Sequence, residues 1–372
     1  MKNILLLHSD TGGGHRAGAQ AVISAIEELY PGEFNLKMVD IFAECSDFLN
    51  IFAKLYSPVI NKAPWLWKMM YYFLGSAKRL SILEKISAPF ILKGIENLIV
   101  RENPDLIVSV HPLVNHLTVA ALKNLKRKTP FAIVILDPLT FHISWAAPGL
   151  DLYIVGTDEG KTLAIKFGVP QDKIKVLGVP IGTKFFKPQK SKEELRLEDG
   201  LDPKKFTLLM MGGGEGAGGL KKFVDPIRTS NLDIQLVIIA GRNKGLEDSL
   251  KKDFADSSKV KAKIYGFTDQ VPRIMAQSDM IVTKAGPGTI AESLAMKLPI
   301  VITSWIPGQE EGNLDFIRNK GFGRVCTDPE KIVETIVEMS EPKHYEEFLE
   351  NIKSKSHPKA VFDIATALIK LI

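Results

Sequence analysis

The sequence predicts an α/β fold with two domains, each built on a parallel β-sheet, and three observations support this prediction. Apolar, strand-like runs alternate with helical patterns, which is typical of a parallel sheet covered by helices on both faces. The alternation starts twice, at residues 3–7 and at residues 206–211, and each time a glycine-rich turn follows. A chain of 372 residues, 45% of them hydrophobic, is long enough for two cores. We therefore expect two Rossmann-like domains that face each other across a cleft.

The strands can be assigned in order from these apolar runs. In the first half, strands are predicted at residues 3–7, 34–39, 106–110, 131–136 and 152–155, and the first helix is predicted at residues 17–29. In the second half, strands are predicted at residues 206–211, 235–240, 263–265, 280–282 and 300–303.

The domain boundaries follow from the point where this alternation fails. It weakens at residues 179–188, and the charged stretch that comes next continues to residue 198, so we interpret this region as a linker. We place an N-terminal domain at residues 1–185, a C-terminal domain at residues 200–355 and a final helix at residues 356–372.

The first glycine turn carries the residue with the most distinctive chemistry. The string SDTGGGHR, residues 9–16, joins the first strand to the first helix. Consecutive glycines allow positive φ angles and the close approach of a ligand, and the helix start offers unpaired N–H groups. Within this turn lies His15, whose side chain ordinarily titrates near neutral pH. The turn alone is compatible with a phosphate cradle, but the histidine favours a catalytic base.

A second group of polar residues follows the strands of the C-terminal half. The turn formed by residues 286–289 leads into a helix that begins near Pro287, and its N–H groups could bind phosphate oxygens. Glu292 lies one turn into the helix and could accept from a ribose diol. Gln309 and Glu310 follow the next strand and could meet sugar hydroxyls. A plain strand-turn-helix connection with solvated acids is the alternative.

Residues 48–95 are rich in aromatic and long apolar side chains, with basic residues between them and few acids. Such a surface can combine apolar insertion with attraction to anionic head groups. Trp65, Trp67, Lys68 and Tyr71 are the candidates for contact with a lipid acceptor or a membrane. The alternative is that these helices pack on the protein's own core with lysines facing water.

Composition restricts the partners and the compartment. The net charge of +5 is modest, so we predict no nucleic-acid binding. Cys45 and Cys326 lie far apart and suit neither a metal site nor a disulfide framework, which favours a reducing, cytoplasmic compartment. No apolar run approaches the roughly 20 residues of a membrane-spanning helix. We expect a soluble or peripheral protein.

Two glycine patterns also fit dinucleotide-binding fingerprints. GEGAGG at residues 214–219 has the spacing G-x-G-x-x-G, and GGGHRA at residues 12–17 fits the variant ending in alanine. Asp40 stands at the end of the second strand, where an NAD site requires an acid. An NAD(P)-dependent oxidoreductase is therefore an alternative, although it explains neither the histidine in the turn nor the acid-rich loop at residues 308–311.

Several strings in this order resemble a known family. SDTGGGHR at 9–16, SVHP at 109–112, KAGPGTIAE at 284–292 and PGQEEGN at 307–313 are similar to motifs of the monogalactosyldiacylglycerol synthases and the processive diacylglycerol glucosyltransferases, which are relatives of the lipid II-forming glycosyltransferase. The resemblance extends over nearly the whole chain. It implies a GT-B fold, a UDP-sugar held mainly by the C-terminal domain, and a lipid acceptor entering through the N-terminal domain. It also implies inversion at the anomeric carbon without a bound metal, and peripheral attachment to membranes through the N-terminal domain.

The resemblance also assigns residues. The family's base matches His15. The donor-binding residues match Gly213, Gly214, Gly266, Phe267, Gly286, Gly288, Thr289, Glu292, Gln309 and Glu310, to which we add Gly14. The final helix is expected to return to the N-terminal domain. Where the family often shows Thr-Asp, this chain has LDPLTFH at 136–142, which leaves the roles of Asp137 and His142 open. The roles of His111 and His116 are open as well.

The expected function is an inverting transfer of glucose or galactose from a UDP-sugar to the hydroxyl of diacylglycerol, with His15 as the base and no cofactor or metal. Expected partners are UDP-glucose or UDP-galactose, diacylglycerol and an anionic membrane surface. The expected location is the cytoplasm, peripherally on the inner face of the cell membrane. Alternatives are a transferase of the same fold with another lipid-linked acceptor, the oxidoreductase, and a membrane-associated nucleotide-binding adaptor. The choice between glucose and galactose, the number of sugars added, the oligomeric state and activation by anionic lipids stay open.

Overall fold

The structure is a computed structural model, and it describes residues 1–10, 13–187, 189–213, 219–255 and 259–372, apart from the side chains of residues 47–49, 52, 53, 57 and 61. The chain divides into two compact units. The first unit contains Met1–Thr183, Ile306–Gly312 and Lys359–Ile372, and the second contains Lys184–Trp305 and Asn313–Pro358. Each unit is described by itself below.

The first unit is built on a parallel sheet with the strand order β2-β1-β3-β4-β5-β6. Its strands are β1 Lys2–His8, β2 Phe34–Asp40, β3 Leu106–Ser109, β4 Phe131–Val134, β5 Leu152–Val155 and β6 Ile174–Val176. The central strands are continuous runs of aliphatic residues because helices cover both faces of the sheet. Ile4, Leu5, Leu6 and Leu7, for example, are all buried.

The helices of the first unit pack on this sheet or extend from it. They are α1 Gly14–Leu29, α2 Ile41–Cys45, α3 Asp47–Lys62, α4 Pro64–Leu74, α5 Ala77–Glu102, α6 Asn115–Asn124, α7 Asp158–Lys166 and, from the C-terminal segment, α16 Ala360–Ile369. Helix α16 packs against α1. Its buried residues include Val361, Ile364 and Leu368, which lie on one face at helical spacing. The C-terminal segment is therefore part of the first unit.

The second unit repeats the architecture with the strand order β12-β11-β10-β7-β8-β9, again parallel. Its strands are β7 Phe206–Met211, β8 Ile234–Ile239, β9 Lys261–Tyr265, β10 Met280–Lys284, β11 Ile300–Ser304 and β12 Gly323–Val325. Its helices are α8 Lys192–Glu198, α9 Leu220–Thr229, α10 Lys244–Ala255, α11 Val271–Ala276, α12 Pro287–Ala295, α13 Glu311–Lys320, α14 Ile332–Ser340 and α15 Pro342–Lys355. The first residues of α13, Glu311 and Gly312, belong to the first unit.

The predicted α/β class with two Rossmann-like domains is confirmed, whereas some local predictions need correction. Strands β6 and β12 were not predicted, since each has only three residues and a charged residue at its centre. Both are edge strands. Helix α1 begins at Gly14 rather than at residue 17, so His15 lies in its first turn.

The charged stretch interpreted as part of a linker forms a helix instead. Ser191 and Glu194 make reciprocal capping hydrogen bonds at the start of α8. The buried Arg196 of this helix makes an ion pair with Asp279, at 2.5 Å, and donates to the carbonyl of Gln277 at 2.9 Å. These contacts explain why a sequence with many charges is anchored to the second unit.

Helices α3, α4 and α5 account for the aromatic and basic stretch of the sequence. The described part of the chain contains no helix that is both long enough and apolar enough to cross a membrane. Large apolar side chains on these helices are nevertheless exposed: Ile51, Leu55, Trp65, Met69, Tyr72, Phe73, Ile82, Leu83, Ile86 and Phe90.

Candidate functional site

The first candidate site lies where the strand order of the first sheet changes direction. Strand β2 lies on one side of β1 and β3 on the other, and ligands of open parallel sheets bind beyond the carboxyl ends of the strands at such a point. The turn after β1 leads into α1 through Gly13, whose φ of 82° is left-handed. Residues 11 and 12 of this turn lie outside the described residues. Gly14, which we predicted with the donor-binding residues, is the first residue of α1.

His15 is held by a hydrogen bond across this switch point. Its Nδ1 lies 2.6 Å from the backbone carbonyl oxygen of Val110, which follows β3. Because a carbonyl oxygen can only accept, we assign the proton to Nδ1. The lone pair is then on Nε2, which is the nitrogen that can accept a proton from a substrate.

The surroundings of His15 keep its ring neutral. The ring makes an edge contact with the ring of the buried His111, with centroids 4.6 Å apart, and the ring of Trp145 lies 6.3 Å away. Burial lowers the pKa of His15 to about 4, against a weaker opposing effect of the Val110 carbonyl. The pKa of His111 is also well below its usual value, because of burial. Both imidazoles are therefore uncharged at pH 7.

Among the other histidines, the buried His8 at the end of β1 also lowers the pKa values of His15 and His111 electrostatically, whereas His116 and His142 have other neighbours. His116 on α6 lies 3.5 Å from the Glu84 carboxylate on α5, and burial raises the pKa of Glu84 to about 7. The Nδ1 of His142 lies 2.8 Å from the hydroxyl of Ser144. Within the described ranges, no three or more histidine, cysteine, aspartate or glutamate side chains are grouped as a metal site would require.

The second candidate site lies at the equivalent point of the second sheet. The direction of the strand order changes between β7 and β10, which pair side by side. Gly213 follows β7 with a φ of +75°, and a Cβ atom there would lie 3.3 Å from the Lys284 side chain at the end of β10. Gly214, the neighbouring predicted residue, lies outside the described residues. The glycine turn and the Lys284 side chain at the end of β10 are thus close neighbours at this edge of the sheet.

Helix α12 offers backbone donors at this edge. Its cap, Gly286, has no side chain that could occupy the first N–H groups, and Pro287 at the first position has no N–H of its own. The next N–H groups, of Gly288 and Thr289, lie in the first turn, where a helix makes no internal bonds to them. The space where a Gly288 side chain would lie is open. An anion would be stabilised here by backbone donors and the helix dipole.

Three further predicted donor-binding residues belong to the second unit, Glu292 within α12 and Gly266 and Phe267 directly after β9. Burial raises the pKa of Glu292 to about 7, and the positive charge of Lys184 acts in the opposite direction. Phe267, after β9, is 62% exposed. The guanidinium carbon of Arg242 lies over its ring, 4.2 Å from the ring centroid. At Gly266 a Cβ atom would lie 2.6 Å from a carboxylate oxygen of Glu247.

Gln309 and Glu310 lie in a segment that belongs to the first unit. Glu310 is only 3% exposed and accepts from the backbone N–H of Ile306 at 2.8 Å. Gln309 accepts a hydrogen bond from the Tyr56 hydroxyl of α3 at 3.1 Å. The structure therefore brings these two residues, predicted as donor-binding, together with the helices that carry the predicted acceptor residues.

The four predicted acceptor or membrane residues of α4 differ in their surroundings. Trp65 is 68% exposed. Trp67 packs edge-on against the Tyr56 ring at 4.9 Å, and Tyr71 packs against the His142 ring at 5.1 Å. Lys68 makes an ion pair with Glu311 at 3.0 Å. Of the four, only Trp65 presents most of its side chain to solvent.

Sequence reasoning missed most of the exposed apolar surface on α4 and α5. Met69 and Phe73 follow Trp65 at intervals of four residues, and Ile82, Ile86 and Phe90 repeat this spacing on α5. This interval places side chains on one face of a helix. This four-residue spacing is present in the sequence, but apolar residues on the other faces of α4 and α5 obscure it.

Asp137 is a buried acid that the family resemblance left without a role. Burial and the nearby Glu310 raise the pKa of Asp137 to about 7, whereas a hydrogen bond with the Trp145 side chain opposes this shift. A substantial fraction of the Asp137 carboxyl is therefore protonated at neutral pH.

Solved structures with this architecture define the class. MurG of Acinetobacter baumannii superimposes with a TM-score of 0.66 at 13% identity, and both chains are covered in full. The UDP-GlcNAc 2-epimerase from Neisseria meningitidis, solved with UDP-GlcNAc, gives 0.62 at 12% identity, also with full coverage of both chains. An Anabaena protein, Alr3699/HepE, solved with UDP-glucose, gives 0.57 at 13% identity with the same coverage. The chain has the GT-B fold.

The sequence comparisons identify the family within that class. Residues 15–181 match the family model of monogalactosyldiacylglycerol (MGDG) synthase, and residues 207–365 match the glycosyltransferase family 28 C-terminal domain. A probable monogalactosyldiacylglycerol synthase of Glycine max is 34% identical, over 100% of this chain and 72% of its own length. The synthase of Spinacia oleracea is 33% identical, over 100% and 73% respectively. The chain belongs to the monogalactosyldiacylglycerol synthase family and is a glycosyltransferase of glycolipid synthesis.

These relatives also correct one prediction. Both are named chloroplastic proteins, as is monogalactosyldiacylglycerol synthase 2 of Arabidopsis thaliana, which is 33% identical over 100% of this chain and 81% of its own length. The location predicted from the sequence, in the cytoplasm and on the inner face of the cell membrane, is therefore wrong. The cysteine content on which it partly rested distinguishes oxidising from reducing surroundings but does not identify an organelle.

Proposed function

We propose that this protein transfers galactose from UDP-galactose to the hydroxyl of diacylglycerol, with inversion at the anomeric carbon. The observation that carries the proposal is His15, neutral and fixed through Nδ1, at the switch point of a sheet whose sequence matches the monogalactosyldiacylglycerol synthases. The names of the relatives support galactose and diacylglycerol as substrates. The UDP-sugars bound to proteins of the same fold support a UDP-linked donor.

The second unit would bind the nucleotide. In this proposal the diphosphate lies against the N–H groups at the start of α12, where the helix dipole favours negative charge. Glu292 accepts from the two ribose hydroxyls. As the bond between the anomeric carbon and the diphosphate oxygen breaks, negative charge grows on the diphosphate, and preorganised backbone donors stabilise it. We propose that this stabilisation requires no bound metal.

His15 would act on the acceptor. The oxygen of the diacylglycerol hydroxyl attacks the anomeric carbon from the face opposite UDP, and its proton passes to Nε2 of His15. The positive charge that forms on the imidazole is opposed by burial, as the lowered pKa indicates. The negatively charged donor provides the compensating charge, since it raises the pKa of a neighbouring imidazole. His15 is thus a weak base in the empty site and a stronger one beside the bound donor.

The apolar surface of α4 and α5 would present the enzyme to the lipid. Diacylglycerol is not free in water, so its hydroxyl must be reached at a lipid surface. Trp65, Met69 and Phe73 form an exposed apolar stripe, and Lys78, Arg79 and Lys85 on α5 add positive charge. Apolar insertion combined with basic side chains is the usual basis of interfacial attachment to anionic lipids.

The decisive experiment is a transfer assay with radiolabelled donors and vesicles that contain diacylglycerol. We expect labelled monogalactosyldiacylglycerol from UDP-galactose, and its β-anomer would demonstrate inversion. Label transferred only from UDP-glucose would contradict the choice of sugar. No transfer from either donor, together with heat of binding for NAD and none for UDP, would overturn the proposal in favour of an oxidoreductase.

One structural observation weighs against the oxidoreductase. Asp40, the acid that an NAD site would need at the end of β2, accepts from the backbone N–H groups of Phe42 and Ala43 at 3.0 and 3.3 Å. It is therefore the N-cap of α2. A carboxylate engaged in this way is already explained by the fold and requires no ribose.

A further inference from the structure

Residues 306–312 connect donor binding and acceptor binding, two functions that the sequence analysis assigned to different domains. It follows β11 of the second unit and carries Gln309 and Glu310, the residues proposed to meet the donor sugar. Its contacts nevertheless place it in the first unit. The side chains that hold it come from α3 and α4, which also carry exposed apolar residues.

Three side chains of these helices bind the segment. The Tyr56 hydroxyl of α3 donates to Gln309 Oε1 at 3.1 Å. The Tyr72 hydroxyl of α4 donates to Glu311 Oε2 at 2.6 Å, and the ammonium of Lys68 lies 3.0 Å from Glu311 Oε1. Burial raises the pKa of Tyr56, so its hydroxyl remains protonated and can donate throughout the physiological pH range. The segment is thus held at two acceptor residues, 309 and 311, on either side of Glu310.

Two glycines fix how closely the segment lies against the first unit. At Gly308, with a φ of +82°, a Cβ atom would lie 3.0 Å from the Tyr71 ring of α4. At Gly312 a Cβ atom would collide with the side chain of Thr140. Since glycine allows both the left-handed backbone and the close approach, the segment is seated against Tyr71 and Thr140.

The same helix α4 carries apolar side chains that the protein leaves uncovered. Lys68 and Tyr72 are four residues apart and both contact Glu311. Met69 and Phe73 directly follow Lys68 and Tyr72 in the chain, and Trp65 lies four residues before Met69. Each of these three apolar side chains is more than half exposed. One short helix therefore supports the 306–312 segment along one stripe and presents an apolar stripe to solvent beside it.

We infer that Tyr56, Lys68 and Tyr72 are positioning residues for the donor sugar, and that lipid docking of α4 and sugar binding by Gln309 are coupled through them. The inference rests on the proposed function. A lipid surface that orders α4 also orders Tyr72 and Lys68, which hold residue 311. It orders Trp67 of the same helix as well, whose ring packs against Tyr56, the residue of α3 that holds Gln309. Gln309 is then presented to the sugar in a fixed orientation, so the donor is bound more tightly when the acceptor surface is engaged.

The test compares two ligands that differ only in the sugar. The affinities of the full chain for UDP and for UDP-galactose are measured by titration calorimetry, with and without vesicles of phosphatidylcholine and phosphatidylserine that lack diacylglycerol, so that no transfer occurs. Tyr56→Phe and Tyr72→Phe each remove one hydroxyl, and the double variant removes both. Tyr30→Phe, at the end of α1, is the matched control.

We expect Tyr56→Phe to weaken UDP-galactose binding about fivefold, the effect of one lost hydrogen bond, and to leave UDP binding unchanged. Vesicles should tighten UDP-galactose binding by the wild type and by Tyr30→Phe but not by the double variant. Unchanged UDP affinity would also show that the nucleotide site of the variant is folded.

Two other outcomes separate this inference from the proposed function. If the wild type binds UDP-galactose and the tyrosine variants bind it equally well, with the same response to vesicles, the coupling is wrong while the proposed function stands. If the wild type binds neither UDP nor UDP-galactose, the proposed function is wrong and the inference falls with it.

Discussion

The two switch points of this protein have the same sheet geometry and different chemistry. In the first unit, the edge between β1 and β3 holds His15 beside His111 and Trp145, so the distinctive group there is a side chain in partly buried, aromatic surroundings. In the second unit, the edge between β7 and β10 offers backbone N–H groups beside glycines. An uncharged ring can accept a proton, and open backbone donors can bind an anion. Under the proposed function, one architecture serves both partners of a transfer reaction.

Substitution of His15 should have the largest effect, because it should lower the transfer rate without changing UDP binding. We expect His15→Ala to lower the rate of galactose transfer by about 10² to 10⁴, the usual contribution of a positioned base. Binding of UDP should not change, because the nucleotide site belongs to the other unit. Transfer rates and UDP titrations measure the two effects. His357→Ala, at an exposed position, is the control, and a normal rate in His15→Ala would remove the histidine from the mechanism.

A negative charge at the start of α12 should have the next largest effect. Gly288 has open space around it, so Gly288→Asp can be accommodated while it places a carboxylate where the diphosphate is proposed to lie. Because the added carboxylate repels the like-charged diphosphate, we expect UDP binding to weaken by about 10- to 100-fold, or roughly 1.4 to 2.7 kcal/mol. Gly288→Asn has nearly the same shape without the charge and should have a much smaller effect. Equal losses in the two variants would indicate steric interference instead.

A change in the exposed apolar stripe of α4 should affect binding to lipid and not the nucleotide site of the second unit. Phe73→Glu replaces an exposed aromatic with a charge and should reduce binding to anionic vesicles about tenfold, as loss of a large buried side chain implies. Phe267→Glu changes an equally exposed phenylalanine of the second unit and serves as the control. Vesicle sedimentation measures both. If Phe267→Glu impaired sedimentation as much as Phe73→Glu, the lipid surface would not be specific to the first unit.

The pH dependence of UDP binding should be a smaller effect that tests Glu292. Its pKa is raised to about 7 by burial, and only the ionised carboxylate can accept from both ribose hydroxyls. Affinity should therefore fall severalfold as the pH is lowered through 7 and recover above it. Glu292→Gln should bind UDP more weakly above pH 7 and lose this dependence. Titration calorimetry at several pH values measures the UDP affinity of the variant and of the wild type. A variant with the same pH profile as the wild type would contradict the assignment of Glu292 to the ribose.

The sequence contained most of the information for the sheets and less for the sites. Runs such as residues 4–7 and 300–302 are apolar on both faces, so a buried parallel strand is the natural interpretation. Short edge strands such as β6 gain little from apolar burial and leave no comparable pattern.

Contacts between distant parts of the chain could not be predicted in this way. The partner of His15, the Val110 carbonyl, is 95 residues away and depends on the register of β1 and β3. Tyr56 and Gln309 are 253 residues apart, and no local pattern of either helix or loop encodes their hydrogen bond. Residue types near a strand end could indicate chemistry, but only the fold determines which groups meet.

The packing of α16 on α1 has a consequence for the order in which this protein can fold. Helix α1, whose first turn contains His15, packs against residues of the 359–372 segment, which is synthesised last of the described elements. During synthesis, the surface of α1 that contacts α16 stays uncovered until a segment more than 300 residues later in the chain has been made. The packing of α1 in the first unit is therefore complete only after the 359–372 segment has been made. A chain that ended before residue 359 would leave that surface of α1 uncovered, and exposed apolar surface makes partly folded chains prone to aggregate.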